Sequence, residues 1–342
     1  FALKEWIHDS TITIVKNPFW PGTDIVPQPQ VDEVTWAMLE EGAQMAEFEA
    51  GNLDAISVPT AEIDRVKADP NLSQMLNIAP SLCTYFYGFN TQAPIVNDVR
   101  VRRALSMGVD RQALVDNVLK GGQEPAQWFT RPGIAASPTM ETHPDLGVKT
   151  DIAAAKALLD EYLKEKGTTA DQLDITLMYN TSAGHQMIAE FVQQQWKTNL
   201  GIDAKVTNQE WKVFLETTKG KDTPQVYRMG WCMDYPDANN WTREVLASGG
   251  SNNPVDAQGN PEGGLSWKNE EFEQLVRDAA RETDMKKRVE MYARAEQILC
   301  WEDAAIIPLY WYTSVQITQP WIERTFSTAG HERYEHWTVL QD

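Results

Sequence analysis

The stretch Val226-Tyr227-Arg228-Met229-Gly230-Trp231-Cys232-Met233-Asp234-Tyr235 reads as a buried strand that ends in an acid set among aromatics. It closes a run of alternating elements. Leu173–Tyr179 has the period of a strand, the residues around Met187–Leu200 have helical spacing, and Ile202–Thr207 is again strand-like. A helix carrying Trp211, Phe214 and Leu215 then leads into Val226–Trp231. This βαβαβ order predicts an α/β unit. Ligands of such folds gather at strand ends, where Asp234 stands between Trp231 and Tyr235. A carboxylate in an aromatic pocket suits a positively charged head group, through a charge-assisted hydrogen bond. A helix or turn cap is an equally open role for Asp234, and Asp237 reads as a turn residue. No nucleophile is paired with a base here, so binding rather than chemistry is the first inference.

The earlier part of the chain has similar punctuation. Thr11–Val15 and Val31–Trp36 alternate with a period of two. A helix from about Glu41 to Ala50 stops at Gly51, and Leu53–Val58 returns as a strand before Pro59. Strand–helix–strand spacing of this kind predicts a right-handed crossover in a partly parallel sheet. Asp98 and Asp110 are placed to cap two helices, the first over Val99–Gly108 and the second ending at Gly121-Gly122. The arginines of Asp98-Val99-Arg100-Val101-Arg102-Arg103 read as a solvated helix start paired with nearby acids. Residues 151–165 put Ile152, Ala155, Leu158, Leu159 and Tyr162 on one helix face. The polar, glycine-rich segment Ser248–Gly264 reads as a mobile surface loop. Helices over roughly 269–281 and 285–301 precede Ile306–Tyr312, a strand able to return to the first sheet.

A length of 342 residues is comfortable for two domains. Hydrophobic content of 42% with a mean hydropathy of −0.44 describes an ordinary soluble chain. No run approaches the roughly 18 apolar residues of a membrane span. The opening Phe1-Ala2-Leu3-Lys4-Glu5-Trp6 has neither a basic nor an apolar leader region, so no signal peptide is expected, and it reads as a fragment. A net charge of −19 argues against nucleic acid. The cysteines are Cys83, Cys232 and Cys300, with no metal-site spacing. One disulfide plus a buried odd cysteine is the natural arithmetic, and it implies an oxidising compartment.

Two further residues are candidates. Arg228, alternating with Val226 and Gly230, either faces a carboxylate in a cleft or sits in a buried ion pair. His185 follows Tyr179-Asn180-Thr181-Ser182 at a strand-to-helix junction and is open between an anionic ligand contact and a capping role. His331 and His336, five positions apart, read as structural or exposed. Thirteen tryptophans invite a sugar-binding or even a glycosidase reading with paired carboxyls, but no pattern ties a second acid to Asp234. No Gly-x-Ser-x-Gly, phosphate-binding loop or His-Glu-x-x-His is present, and neither cofactor nor metal is expected.

Asp98-Val99-Arg100-Val101-Arg102-Arg103-Ala104-Leu105 followed by Val109-Asp110-Arg111 resembles the signature of family 5 extracellular solute-binding proteins, the receptors of ABC importers for peptides, nickel and related solutes. Leu82-Cys83-Thr84-Tyr85, Tyr179-Asn180-Thr181-Ser182, Asn208-Gln209-Glu210-Trp211-Lys212 and Gly230-Trp231-Cys232-Met233-Asp234-Tyr235 resemble its oligopeptide-binding branch, in order and over nearly the whole chain. The resemblance implies an α/β fold of the two-lobe periplasmic-binding-protein type (type II, cluster C-like), with mixed sheets, flanking helices and the family's N-terminal half absent. Residues 1–86 and 306–342 would belong to lobe I and 87–305 to lobe II, the lobes closing on a peptide about the connecting strands. It also implies a Cys83–Cys232 disulfide and an α-ammonium held by Asp234. His185 and Arg228 would lie near ligand carboxylates, and Trp211 would line a side-chain pocket. The strand at Gly230, Trp231 and Cys232, with Tyr235 beside it, would hydrogen-bond the peptide backbone. The implied protein is a monomeric, non-enzymatic periplasmic or extracytoplasmic receptor, with a lipid anchor open, delivering oligopeptides to a membrane permease. Within the same class, an oligosaccharide or chelated metal is the alternative solute. Pro236-Asp237-Ala238-Asn239 and the longer loop 248–264 depart from the branch pattern.

Overall fold

The computed structural model describes residues 1–328 and 332–340. It divides into two compact units, one of 1–81 with 313–342 and one of 82–312. The chain passes from one to the other inside two long strands, where nothing in the sequence punctuates the boundary.

In the first unit, β1 (Ala2–Ile7), β2 (Thr11–Val15) and β3 (Glu33–Ala37) form an antiparallel sheet. Then follow α1 (Glu41–Glu49), β4 (Ala55–Ser57), α2 (Ile63–Ala68), α3 (Leu72–Met75) and the start of β5 (Leu76–Phe89). The helix ends where expected, with Gly51 in the left-handed region at φ +78°. The parallel crossover does not form. β3 pairs with β2, and β4 pairs antiparallel with a strand from the far end of the chain, Ala55–Ser57 against Gln316–Thr318. Met45, Phe48, Ile56, Ile63, Val66 and Ile317 make this unit's core.

The second unit continues with α4 (Val99–Met107), α5 (Arg111–Leu114), β6 (Glu124–Pro125), α6 (Ile152–Lys166), β7 (Thr176–Asn180), α7 (Ala183–Leu200), β8 (Lys205–Gln209), α8 (Trp211–Thr218) and β9 (Val226–Cys232). After α9 (Ala238–Trp241), α10 (Glu270–Ala279) and α11 (Met285–Gln297), β10 (Ile306–Thr318) leads back to the first unit, which ends with β11 (Ile322–Glu323) and β12 (Thr338–Val339). Local chemistry sets the helices. Asp98, Asp151 and Asn269 each accept a first-turn backbone N–H at 2.9–3.0 Å, and Gly167 and Gly201 end α6 and α7 with φ +64° and +74°.

The strand order is β10-β5-β9-β7-β8, with β7 parallel to both β8 and β9 and β5 antiparallel to β9. Side chains alternate between two cores. Tyr85, Tyr87, Leu177 and Val226 join Trp196 and the helices α4, α6 and α7 on one face. Phe86, Met178, Tyr227 and Met229 join Trp128, Trp241 and Tyr292 on the other. Both faces are therefore covered, and among the described residues the strand ends, the outer edge of β8 and part of one edge of β9 remain open.

Two expectations are corrected here. Among the described residues only Arg100 of the arginine run pairs with acids, Asp98 at 2.7 Å and Glu165 at 2.8 Å. Arg102 is buried and donates to the carbonyls of Val96 and Asp303 at 2.6–2.9 Å, while Arg103 donates to those of Trp301 and Glu302. Burial lowers Arg102 to about 10. These guanidiniums satisfy carbonyls left over where a helix ends. The 248–264 segment is anchored rather than free. Asn253 is buried, and its amide donates to the carbonyls of Leu246 at 3.0 Å and Trp267 at 2.7 Å.

Candidate functional site

β9 is the centre of the site. β5 covers one edge along its whole length, from Phe89↔Val226 to Cys83↔Cys232. β7 covers the other only at Leu177↔Val226 and Met178↔Tyr227. From Arg228 to Cys232 this second edge has no strand partner among the described residues. An unpaired edge carries backbone donors and acceptors ready for another extended chain.

At the covered end of that edge, Arg228 reaches the Asn180 side-chain oxygen at 3.1 Å and the Tyr312 hydroxyl at 3.0 Å, and it lies 4.7 Å above the Tyr85 ring. No carboxylate pairs with it among the described residues, and its Nε is buried without a hydrogen-bond partner. Of the two roles open to Arg228, the ion pair is absent. Gly230 leaves room beside it: a Cβ there would come within 3.2 Å of the Arg228 guanidinium and 3.3 Å of the Tyr312 hydroxyl, so both side chains would have to give by a few tenths of an ångström. Tyr310 stacks on Tyr85 at 4.9 Å and completes an aromatic lining.

His185 joins the same group. Ser182 caps α7 by accepting the His185 N–H, which sets the imidazole in the first turn, with Nδ1 3.4 Å from the Tyr85 hydroxyl. Burial, reinforced by the Arg228 charge, pushes its pKa down to about 3. The ring is therefore neutral at physiological pH and offers an anion a hydrogen bond, not a charge. In the unfolded chain it titrates near 6.5, so between these values the unfolded state binds more protons. The stability that depends on the neutral ring is complete above about pH 6.5 and is lost as pH falls toward 3. In urea titrations across that window, His185→Asn should flatten the acid loss of stability. An unchanged slope would show that the ring is not held neutral.

A second group lies just past the strand. Asp234 is exposed, its backbone N–H donates to the Asn240 side-chain oxygen at 2.9 Å, and its carboxylate accepts from the Asn240 amide at 3.2 Å. Trp231 Nε1 donates to that same Asn240 oxygen at 2.9 Å. The Tyr235 hydroxyl donates to Glu244 at 2.6 Å. Asn240 and Glu244 are functional candidates that the sequence reading missed; their spacing of four within a helix was the available signal. Asp237 caps α9 and takes both Arg288 donors at 2.7 Å, in keeping with a turn role.

Cys83 and Cys232 are disulfide-bonded across the β5–β9 pair, and Cys300 is free and buried. Trp211 stands at the start of α8, exposed and stacked on Phe214, and the structure brings it to neither group. Trp128, Trp196, Trp241 and Trp311 are core residues, so their rings cannot stack on a sugar. His336 is exposed; His331 lies outside the described residues. A cavity of about 610 Å³ lies in the first unit against β3 and β4, and none of the expected residues lines it. No cluster suited to a metal and no helix long and apolar enough to cross a membrane occur among the described residues.

The sheet is thus covered on both faces, and the β9 edge from Arg228 to Cys232 has no strand partner among the described residues, with Asp234 just past its end. The chain belongs to the bacterial extracellular solute-binding proteins, family 5, whose model matches residues 1–253. It is 32% identical over 325 residues to the oligopeptide-binding protein OppA of Bacillus subtilis, covering 93% of this chain and 56% of that protein. It is 31% identical to the periplasmic oligopeptide-binding protein OppA of Escherichia coli, over 94% of this chain and 56% of the relative. The chain thus spans little more than half the length of these curated relatives. Among solved structures it resembles the murein tripeptide binding protein MppA of Escherichia coli, with TM-score 0.82 and 29% identity over 99% of this chain and 64% of that one. It also resembles Haemophilus influenzae OppA in complex with RPPGFSPFR, with TM-score 0.79 and 25% identity over the same shares. The fold is that of periplasmic peptide-binding proteins, and the family's members are transport solute-binding proteins.

Proposed function

We propose that the intact protein is the peptide-binding component of an ABC importer and hands its ligand to a membrane permease. The carrying observation is the β9 edge from Arg228 to Cys232, open among the described residues, with a cation that pairs with none of their carboxylates at one end and Asp234 beyond the other. The edge bonds a peptide main chain regardless of side chains. Asp234 takes the α-ammonium, while Arg228, with neutral His185, takes a carboxylate. Six positions at about 3.3 Å each separate the two anchors by at most about 20 Å, which suits peptides of a few residues. Trp231 and Tyr235 flank the first ligand residue, and Trp211 offers a face to a more distant side chain. The protein works as a monomer outside the cytoplasm, free or lipid-anchored, with no catalytic step and no cofactor.

The deciding experiment is mass spectrometry of small molecules released on denaturing the intact protein, purified without added ligand. Short peptides of mixed sequence support the reading; a single non-peptide solute overturns it. Asp234→Asn should weaken tripeptide binding about ten- to 150-fold, the range for losing a hydrogen bond to a charged group. Calorimetry reads this directly, and an unchanged affinity removes Asp234 as the ammonium anchor.

A further inference from the structure

We propose that Asn240 joins Asp234 and Glu244 into a paired-carboxylate seat that favours peptides whose first residue is lysine or arginine. This rests on the peptide-receptor reading above and concerns only the leading end of the ligand.

Asn240 is fully buried and spends its whole amide on this site. Its oxygen accepts from the Asp234 backbone at 2.9 Å and from Trp231 Nε1 at 2.9 Å. Its nitrogen donates to Asp234 Oδ2 at 3.2 Å and to Glu244 Oε2 at 3.0 Å. Because one nitrogen bonds both, the two carboxylate oxygens lie within about 6 Å of each other. Their other partners do not neutralise them. Glu244 Oε1 accepts from the Tyr235 hydroxyl and, at 3.3 Å, from the Asn239 amide. Neither acid forms an ion pair among the described residues, and Arg288 is committed to Asp237. A separate observation points the same way. Asn239 is only 8% exposed, its amide nitrogen lies on Tyr235 and Glu244, and its Oδ1 has no partner. Asp234 and Glu244 thus meet only neutral donors among the described residues, and what the pair lacks is a donor that carries positive charge.

An α-ammonium brings one such charge and two carboxylates await it. A lysine ammonium or arginine guanidinium on the same ligand residue supplies the second. Both acids touch solvent, so the gain is that of a partly screened ion pair, about fivefold in affinity.

The test is titration calorimetry on the intact protein with Lys-Ala-Ala, Ala-Ala-Ala and the first peptide acetylated on its side-chain nitrogen. Lys-Ala-Ala should bind about fivefold more tightly than the other two. Glu244→Gln, a change at an exposed position that keeps size and shape, should bring the ratio close to one. Equal affinities in the unaltered protein overturn the inference, as does a lysine preference that survives Glu244→Gln. In both cases the peptide reading stands. Failure of all three peptides to bind overturns that reading and this one together.

Discussion

Reducing the Cys83–Cys232 disulfide should lower the unfolding free energy by about 5 kcal/mol in the chain-entropy model. The bond spans a sequence separation of 149 residues, so its loss frees an unusually long loop in the unfolded chain. It also joins the two strands of the candidate site, closing the β5–β9 ladder at its Cys83↔Cys232 end. Guanidinium titration with and without reductant measures the effect, and a Cys83→Ser/Cys232→Ser variant should shift the midpoint by the same amount. Coincident midpoints, with both thiols shown to be free by mass, would refute it.

Arg228→Met should reduce peptide affinity about 100-fold or more, the scale for truncating a partly buried partner of a charge. The sign of its effect on stability runs the other way. Arg228 is held by Asn180, Tyr312 and the Tyr85 face, but no carboxylate among the described residues compensates its charge. Replacing an enclosed, uncompensated cation by a flexible apolar chain removes a desolvation cost, so the ligand-free melting temperature should hold or rise. Calorimetry and thermal melts on one preparation separate the two effects. Unchanged affinity would exclude Arg228 from the ligand.

Much of this was legible in the residues. Asp98, Asp110 and Gly51 mark helix ends because capping is local chemistry, and the β7–α7–β8–α8–β9 order follows from the period of its apolar residues. The alternation along Val226, Arg228 and Gly230 places Arg228 correctly on one face. Pairing partners were not legible. β3–α1–β4 has the punctuation of a parallel crossover, yet β4 takes its partner from residues 316–318, which no local signal indicates. Asn240 was missed for a related reason. Its four hydrogen bonds converge only because the chain turns back after Tyr235, and in the sequence it is one polar residue among several. Composition likewise misjudged 248–264, since polarity does not reveal that Asn253 points inward to bond Leu246 and Trp267.

The open edge of β9 has another side. Bare backbone donors and acceptors recruit any extended chain, including misfolded neighbours or a second copy of the same protein. Here the uncovered portion begins at Arg228 and ends at a cystine, Cys232, that pins the strand to β5. That leaves five residues, fewer than the roughly six or seven of a segment that stacks into a steric zipper.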